Sequence, residues 1–194
     1  MTMTFAFRTA RAVRVVSVPP VMAAIFIFIL YRCRPDVIAT ETQFLVALGC
    51  ISLAPLPAYP LSWALEMGRE AQRSLAMYLS AAAYAAAFAY SMAAPSPFDY
   101  RLICCTYVLS VALLLVFNKG LGLRSSGHAC SVTGPIAFMC FIFGVRLIPV
   151  CALVYALVLW ASLHTRRHTL SEYLWGSACS LLAYLLSYIL LNCL

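Results

Sequence analysis

Residues 147–163 read Leu-Ile-Pro-Val-Cys-Ala-Leu-Val-Tyr-Ala-Leu-Val-Leu-Trp-Ala-Ser-Leu, an apolar run without a single charged side chain. Such a run would have to be covered on every side in water, whereas in a membrane it can face the hydrocarbon directly. Because no water reaches the bilayer core, the backbone there must satisfy its own hydrogen bonds, and a helix does so. This stretch therefore predicts a membrane-spanning helix.

Six similar runs lie along the rest of the chain, separated by short polar segments. They cover approximately residues 13–31, 43–65, 74–94, 102–118, 129–145 and 170–191. None of them alternates apolar and polar residues as the strands of a membrane barrel do. The sequence predicts an all-α polytopic membrane bundle of six or seven transmembrane helices, some of which barely reach the roughly 20 residues that a span needs.

The overall composition also indicates a membrane protein. Of the 194 residues, 64% are hydrophobic and 10% are charged, whereas about 25% are charged in an ordinary soluble domain. This excludes intrinsic disorder, which requires low hydrophobicity and high charge. The net charge of +7 is distributed between the apolar runs, so we interpret it as membrane-interface charge and expect no binding of nucleic acid. We expect a multi-pass protein of the cell membrane.

We expect one membrane domain over residues 1–194, because no segment has the composition of a separate soluble domain. Residues 1–100 supply the N-terminal helices, and residues 101–194 form a core that carries the polar motifs. Arg8, Arg11 and Arg14 precede the first apolar run, as in a signal peptide. No convincing cleavage site follows, so we favour a retained helix that Pro19-Pro20 kinks or delays.

Two polar segments contain all three histidines and the only lysine of the chain. Residues 118–128 read Asn-Lys-Gly-Leu-Gly-Leu-Arg-Ser-Ser-Gly-His, and residues 164–172 read His-Thr-Arg-Arg-His-Thr-Leu-Ser-Glu. The first segment follows the fourth run, 102–118, and the second follows the sixth run, 147–163. Two crossings separate the segments, so both are predicted to lie on one membrane face. The resulting cationic pocket suits a phosphate ester, whose oxygens basic side chains can bind. Its basic side chains would be Lys119, Arg124, Arg166 and Arg167.

The histidines are spaced for phosphoryl transfer. Ser126-Gly127-His128 begins a helix, where free N–H groups and the positive dipole end favour an anion. His168 and Glu172 are four residues apart at the start of the last helix and therefore share a face. A carboxylate bound to one imidazole nitrogen fixes the tautomer and leaves the other nitrogen as a nucleophile. One histidine would attack phosphorus while the other protonates the leaving oxygen.

These residues resemble the motifs of the phosphatidic acid phosphatase type 2 superfamily, whose members dephosphorylate lipid phosphates and pyrophosphates in membranes. Ser126-Gly127-His128 is similar to the Ser-Gly-His motif of the family, and Lys119 is similar to the lysine of its first motif. Residues 168–176 are similar to the end of its third motif, with glutamate in place of aspartate. Two arginines of the family pattern are missing, because no Arg-Pro follows Lys119 and Ser162 stands six residues before His168.

The resemblance implies a role for each of these residues. His168 would be the nucleophile that forms a phosphohistidine, Glu172 would orient it, and His128 would protonate the leaving group. The phosphoryl oxygens would be bound by Lys119, Ser126 and Gly127, with Arg124, Arg166 and Arg167 as candidates for the missing arginines. We therefore expect a hydrolase of a lipid phosphate or a polyprenyl pyrophosphate that needs neither a metal nor a cofactor.

Other functions remain open at this point. A small transporter or a lipid-phosphate-binding protein would use the same basic pocket without hydrolysis. His164 lies four residues before His168, so a metal site formed by two imidazoles, and with it a metal-dependent hydrolase, is a third hypothesis. Arg166 and Arg167 can also be read as ordinary interface anchors. Residues 66–73 fall on the same predicted face and are interpreted as a solvated turn.

Overall fold

The computed structural model describes residues 5–193, and these form helices joined by short turns, without a strand among them. In chain order the helices are α1 (Phe5–Val16), α2 (Pro19–Cys33), α3 (Glu41–Ala47), α4 (Ala58–Ala64), α5 (Arg69–Ala93), α6 (Phe98–Leu115), α7 (Gly127–Phe143), α8 (Ile148–His164) and α9 (Leu170–Cys193). A π-helical turn, Leu48–Leu53, follows α3, and another, Val116–Gly120, follows α6. A 3₁₀ turn, Val145–Leu147, precedes α8. The prediction of an all-α fold is confirmed.

Five helical stretches are long and apolar enough to cross a membrane: Glu41–Ala64, Glu70–Ala93, Phe98–Gly120, Val145–His164 and Leu170–Cys193. A sixth is added if α1 and α2 cross as one bent span. Helix α7 is apolar but shorter, with 17 residues. The predicted runs are thus helical, except that run 13–31 is interrupted at residues 17–18 and run 43–65 at residues 54–57. The number of stretches of spanning length lies at or just below the lower end of the prediction. These helices support a multi-pass membrane protein.

The first apolar run is divided by its two prolines. Proline has no backbone N–H and a fixed φ, so it can begin a helix but cannot continue one. Helix α1 accordingly ends at Val16, Ser17 and Val18 form the break, and α2 begins at Pro19 at an angle of 59° to α1. Because of this bend, α1 leaves the line of α2 and packs against α8.

Helix α6 lies at the centre of the bundle. Of its spanning window 56% is buried within the protein, whereas the other four windows are 17–33% buried and leave most of their surface for lipid. Helices α2, α7 and α9 pack around a shared aromatic cluster, in which Phe138 lies 5.8 Å from Phe26 and 5.1 Å from Tyr184 between ring centroids. Helix α6 and this cluster form one continuous core.

The two ends of the bundle carry different polar contacts. At one end, Arg34 pairs with Asp36 at 2.6 Å and donates to the carbonyl oxygen of Ile142, near the end of α7. At the opposite end, the N–H of Ser126 donates to the carbonyl oxygen of Glu172 at 2.9 Å. The segments 118–128 and 164–172 therefore meet at one end, as the helix count predicted.

Candidate functional site

The two histidine-bearing segments are joined by a close backbone approach. Gly176 lies one turn after Glu172 in α9, and a Cβ atom at this position would overlap the carbonyl oxygen of Ser126. Only glycine therefore lets α9 come this near to the start of α7. Together with the hydrogen bond from Ser126 N–H to the Glu172 carbonyl oxygen, this contact fixes the beginning of α9, with His168, relative to His128.

His168 is oriented by Glu172, which also takes part in the capping of α9. Its Nδ1 lies 3.3 Å from Oε2 of Glu172, and the same carboxylate oxygen accepts the N–H of Thr169 at 3.2 Å. In return, the Glu172 N–H donates to Oγ1 of Thr169 at 3.2 Å. This reciprocal pair is a capping box, which fixes the carboxylate. With Nδ1 facing Glu172, Nε2 is the imidazole nitrogen left to react with a ligand.

The surroundings of His168 favour its neutral form. Burial lowers the pKa of His168, the hydrogen bond and the charge of Glu172 raise it, and the positive charges of Arg73 and Arg14 lower it further. The net pKa lies below the ordinary value for histidine. At neutral pH the imidazole therefore keeps a lone pair, as a nucleophile requires.

His128 stands in the first turn of α7. The side chain of Ser126 caps this helix by accepting the N–H of Ala129 at 3.2 Å. The imidazole Nε2 of His128 lies 3.2 Å from Oγ of Ser17, which is buried at the break between α1 and α2. The N-terminal break thus places a hydroxyl against the second histidine.

His128 and His168 line the same cavity, which has a volume of about 570 Å³. Three arginines, Arg14, Arg73 and Arg167, line it as well. The cavity continues into the bundle as far as Phe138, which follows His128 by ten residues in α7 and so lies ~15 Å further along the helix. Its inner wall is mostly apolar and includes Tyr84, Tyr107, Val111, Leu114 and Phe138. The cavity therefore has a cationic end and a mostly apolar interior. Such a cavity is complementary to an amphiphile with an anionic head and an apolar tail.

Of the nine site residues predicted from the sequence, four line this cavity: Gly127, His128, Arg167 and His168. Glu172 is not a lining residue but contacts His168, which is one. Ser126 is fully buried as the cap of α7 and does not line the cavity. The other three are exposed and are not among the lining residues: Lys119, Arg124 and Arg166. Nζ of Lys119 lies 3.2 Å from Oγ of Ser74, and Arg166 occupies a left-handed turn with φ of 50°.

Neither Arg14 nor Arg73 is among the predicted site residues, although both line the cavity. The interpretation of residues 66–73 as a solvated turn is wrong for Arg73, which lies in α5. Arg73 also donates to the carbonyl oxygen of Ser125 at 2.7 Å and thereby ties α5 to the segment before α7. The Nε atom of Arg14 is buried and has no hydrogen-bond partner among residues 5–193. An unpaired buried donor costs roughly 1–3 kcal/mol, so an anion bound at this place would stabilise it. The sequence feature near Arg14 is Pro19-Pro20, which predicts a kink but not the helix that α1 contacts.

His164 takes part in a helix contact. Its ring stacks on Trp160 at 5.3 Å and lies 6.4 Å from Phe7 of α1, between centroids. No group of three or more His, Cys, Asp or Glu residues that could hold a metal occurs in the part of the chain that the structure describes. His164 thus has a defined place between α1 and α8, where it helps to seat the helix that carries Arg14.

No protein-family model, curated protein or solved structure matches this chain. The site combines a neutral imidazole held by a carboxylate, a second imidazole on the same cavity, and three guanidinium groups. The first can attack an electrophile, the second can move a proton, and the guanidinium groups can bind an anion. Together with the apolar interior, this arrangement is suited to transfer of a phosphoryl group from an amphiphilic molecule.

Proposed function

We propose that this chain is a membrane-embedded phosphatase that hydrolyses a lipid phosphate or a lipid pyrophosphate through a phosphohistidine at His168. The observation that carries the proposal is a cavity that is lined by His128, His168 and three arginines and has a mostly apolar inner wall, with Glu172 paired to His168. The motifs that resemble those of the phosphatidic acid phosphatase type 2 superfamily support the same reaction. A polyprenyl chain is one tail that the interior could take.

The substrate would bind with its tail in the apolar interior and its phosphoryl group at the cationic end. We assign the phosphoryl oxygens to Arg14, Arg73 and Arg167, because these arginines line the cavity. Gly127 lies at the N-terminal end of α7 beside them, where backbone N–H groups and the helix dipole favour the same negative charge.

In the first step, Nε2 of His168 attacks phosphorus, and the bond between phosphorus and the oxygen of the lipid breaks. Burial lowers the pKa of His128 to about 4, so the proton that it transfers comes from a substrate phosphate group that binds beside it as the monoanion. His128 passes this proton to the leaving oxygen, so the lipid leaves as a neutral alcohol or, from a pyrophosphate, as the monophosphate. The carboxylate of Glu172, 3.3 Å from Nδ1, stabilises the positive charge that develops on the ring. The arginines stabilise the negative charge that spreads over the transferring phosphoryl oxygens.

In the second step, water attacks the phosphorus atom of the phosphohistidine and the phosphorus–nitrogen bond breaks. His128, which is neutral after the first step, takes the proton of the attacking water. Inorganic phosphate is released, and His168 returns to its starting state. Both steps use the same pair of histidines, with His128 acting first as an acid and then as a base.

The direct test is release of inorganic phosphate from a lipid phosphate and a polyprenyl pyrophosphate by purified protein in detergent with a chelator present. We expect His168→Ala to abolish release and His128→Ala to slow it by about 10²–10⁴-fold, the usual contribution of a general acid. Ser171→Ala, in the exposed first turn of α9, is the matched control. Undiminished turnover in His168→Ala would exclude the mechanism, and tight binding without release would favour the lipid-phosphate-binding protein.

A further inference from the structure

We propose a second site for a phosphoryl anion, outside the histidine cavity, between α1 and the turn that joins α8 to α9. A separate cavity of about 460 Å³ lies there. Arg11, Arg14 and Arg167 line it, together with Phe7, Val15 and Val18. We call it the outer cavity. Arg14 and Arg167 also line the histidine cavity, where the proposed mechanism uses them, but Arg11 lines only the outer cavity, and its position there needs an explanation of its own.

Three guanidinium groups line the outer cavity, and their like charges repel one another, most strongly at half-buried Arg14, because solvent screens exposed Arg11 and Arg167. Within residues 5–193 the ion pairs are Arg34–Asp36 and His168–Glu172, so none of the three arginines is neutralised by a carboxylate. The buried Nε of Arg14 also lacks a hydrogen-bond partner. A phosphoryl group would supply both the negative charge and the acceptor oxygens, and guanidinium groups bind such oxygens well.

Helix α1, which forms one wall of the outer cavity, is held by contacts with α8. Ala10 of α1 is completely buried, and Phe7 of α1 faces the ring of His164, which itself stacks on Trp160. Helix α1 is therefore packed on α8, and the cavity beneath it is bounded by fixed elements. Arg14 and Arg167 line both cavities, so the outer cavity lies directly beside the cationic end of the histidine cavity.

The position of α1 points to two sources of the anion. The helix is amphipathic, and its exposed apolar side chains include Phe5 and Val15, as in helices that lie in the membrane interface. At that depth the phosphate of an anionic phospholipid is available to Arg11. Inorganic phosphate has the same negatively charged oxygens, and the proposed reaction would release it in the neighbouring histidine cavity. In either case the ligand is a phosphoryl anion bound by Arg11, Arg14 and Arg167.

The test compares Arg11→Gln with Arg8→Gln, because both arginines lie on α1 but only Arg11 lines the outer cavity. Both substitutions are placed in the His168→Ala protein, so that turnover cannot consume a ligand and failure of the phosphatase proposal does not affect the result. Binding of phosphatidylglycerol is measured by native mass spectrometry, and binding of inorganic phosphate is measured by calorimetry. Arg11→Lys, which keeps the charge, shows whether the fold tolerates substitution at this position.

We expect Arg11→Gln to weaken binding of one of the two ligands about tenfold or more, the effect of one charge-assisted hydrogen bond. Arg8→Gln should bind like its parent, and Arg11→Lys should retain part of the affinity. Weaker binding of phosphatidylglycerol identifies a lipid headgroup, and weaker binding of phosphate identifies the free anion. Equal effects of Arg11→Gln and Arg8→Gln, or no effect of either on both ligands, would overturn the proposal.

Discussion

The carboxylate of Glu172 performs two tasks with one oxygen atom. It caps α9 through the N–H of Thr169, and it holds Nδ1 of His168 at 3.3 Å. A carboxylate that is fixed by the helix cap is already ordered, and in the proposed reaction this would lower the cost of orienting His168. The contacts that orient His168 therefore all lie within residues 168–172.

The pKa of His168 gives a prediction about pH. Glu172 raises this pKa, whereas burial and the charges of Arg73 and Arg14 lower it. Removing the carboxylate in Glu172→Gln should therefore lower the pKa and move the acid limb of the pH–rate profile to lower pH. Removing a cation in Arg14→Gln should raise the pKa and move the acid limb to higher pH. The overall loss of rate in Glu172→Gln should remain smaller than in His168→Ala, because Glu172 only orients.

These shifts can be measured by NMR titration of histidine labelled in the ring, since the chain has only three histidines. Shifts in the same direction for Glu172→Gln and Arg14→Gln would contradict the assignment of their opposing effects on His168. The Arg8→Gln protein should titrate like the wild type, because Arg8 does not line the cavity.

The choice of phosphate-binding residues is a second prediction at the residue scale. Arg14 lines the histidine cavity, whereas Lys119, which the motif resemblance favours, is exposed beside Ser74. We expect Arg14→Gln to lower kcat/KM by about 10²-fold, as the loss of one donor to a transition state does. Lys119→Gln should have a much smaller effect. Steady-state kinetics of the two variants measure these losses. A larger loss of kcat/KM in Lys119→Gln than in Arg14→Gln would contradict the assignment and favour phosphate binding by Lys119.

At the scale of elements, the approach of α9 to the start of α7 determines whether the two histidines face one substrate. Gly176 makes this approach without a side chain between the backbones. We predict that Gly176→Ala destabilises the protein by about 1–3 kcal/mol, the usual cost of overpacking, and also lowers activity, because the shift separates His168 from His128.

Thermal unfolding and phosphate release measure the two effects of Gly176→Ala. Gly49→Ala is a suitable control, because a Cβ at Gly49 meets no atom within 4 Å. A Gly176→Ala protein with the unfolding temperature and activity of the wild type would show that the contact between Ser126 and α9 is not required.

The break between α1 and α2 shows what the sequence could and could not predict about the site. The Pro19-Pro20 pair predicted a kink, and a bend of 59° is present there. A kink by itself does not specify which neighbour the detached helix will contact. The packing of α1 on α8 and the resulting places of Arg14 and Ser17 depend on tertiary contacts far apart in the chain. For this reason the sequence located the histidines and Arg167 but not Arg14.

Local patterns were sufficient for the rest of the bundle. The apolar runs form helices, two of them interrupted near prolines, and alternation of helix direction brings together Ser126 and Glu172, which are 46 positions apart along the chain. The π-helical turns at Leu48–Leu53 and Val116–Gly120 leave no such pattern in the sequence. The second of these turns contains Lys119 and ends four residues before Arg124, so the positions of these two side chains depend on a feature that the sequence pattern does not predict.

For the molecule as a whole, the central feature is a cavity that connects a cationic end to the apolar centre of a helix bundle. Helix α6 lies at the centre of the bundle and contributes Thr106, Tyr107, Ser110, Val111 and Leu114 to the lining, whereas α1, α5 and the α8–α9 turn supply the arginines. The reacting group and the tail of a lipid phosphate would thus be bound at different depths of one cavity, and α5 and α7 contribute side chains at both depths. A phosphatase built in this way would act on its substrate without removing the tail from an apolar environment.

The most direct test of the phosphatase proposal is to trap the covalent intermediate. Purified protein is mixed with a polyprenyl pyrophosphate that carries a radioactive terminal phosphate, the reaction is stopped in alkali, and the labelled peptide is identified. We predict an alkali-stable, acid-labile phosphohistidine at His168 in the wild type, slower labelling in His128→Ala, and none in His168→Ala. Release of phosphate by the wild type without label on His168, or label on any other residue, would contradict the account.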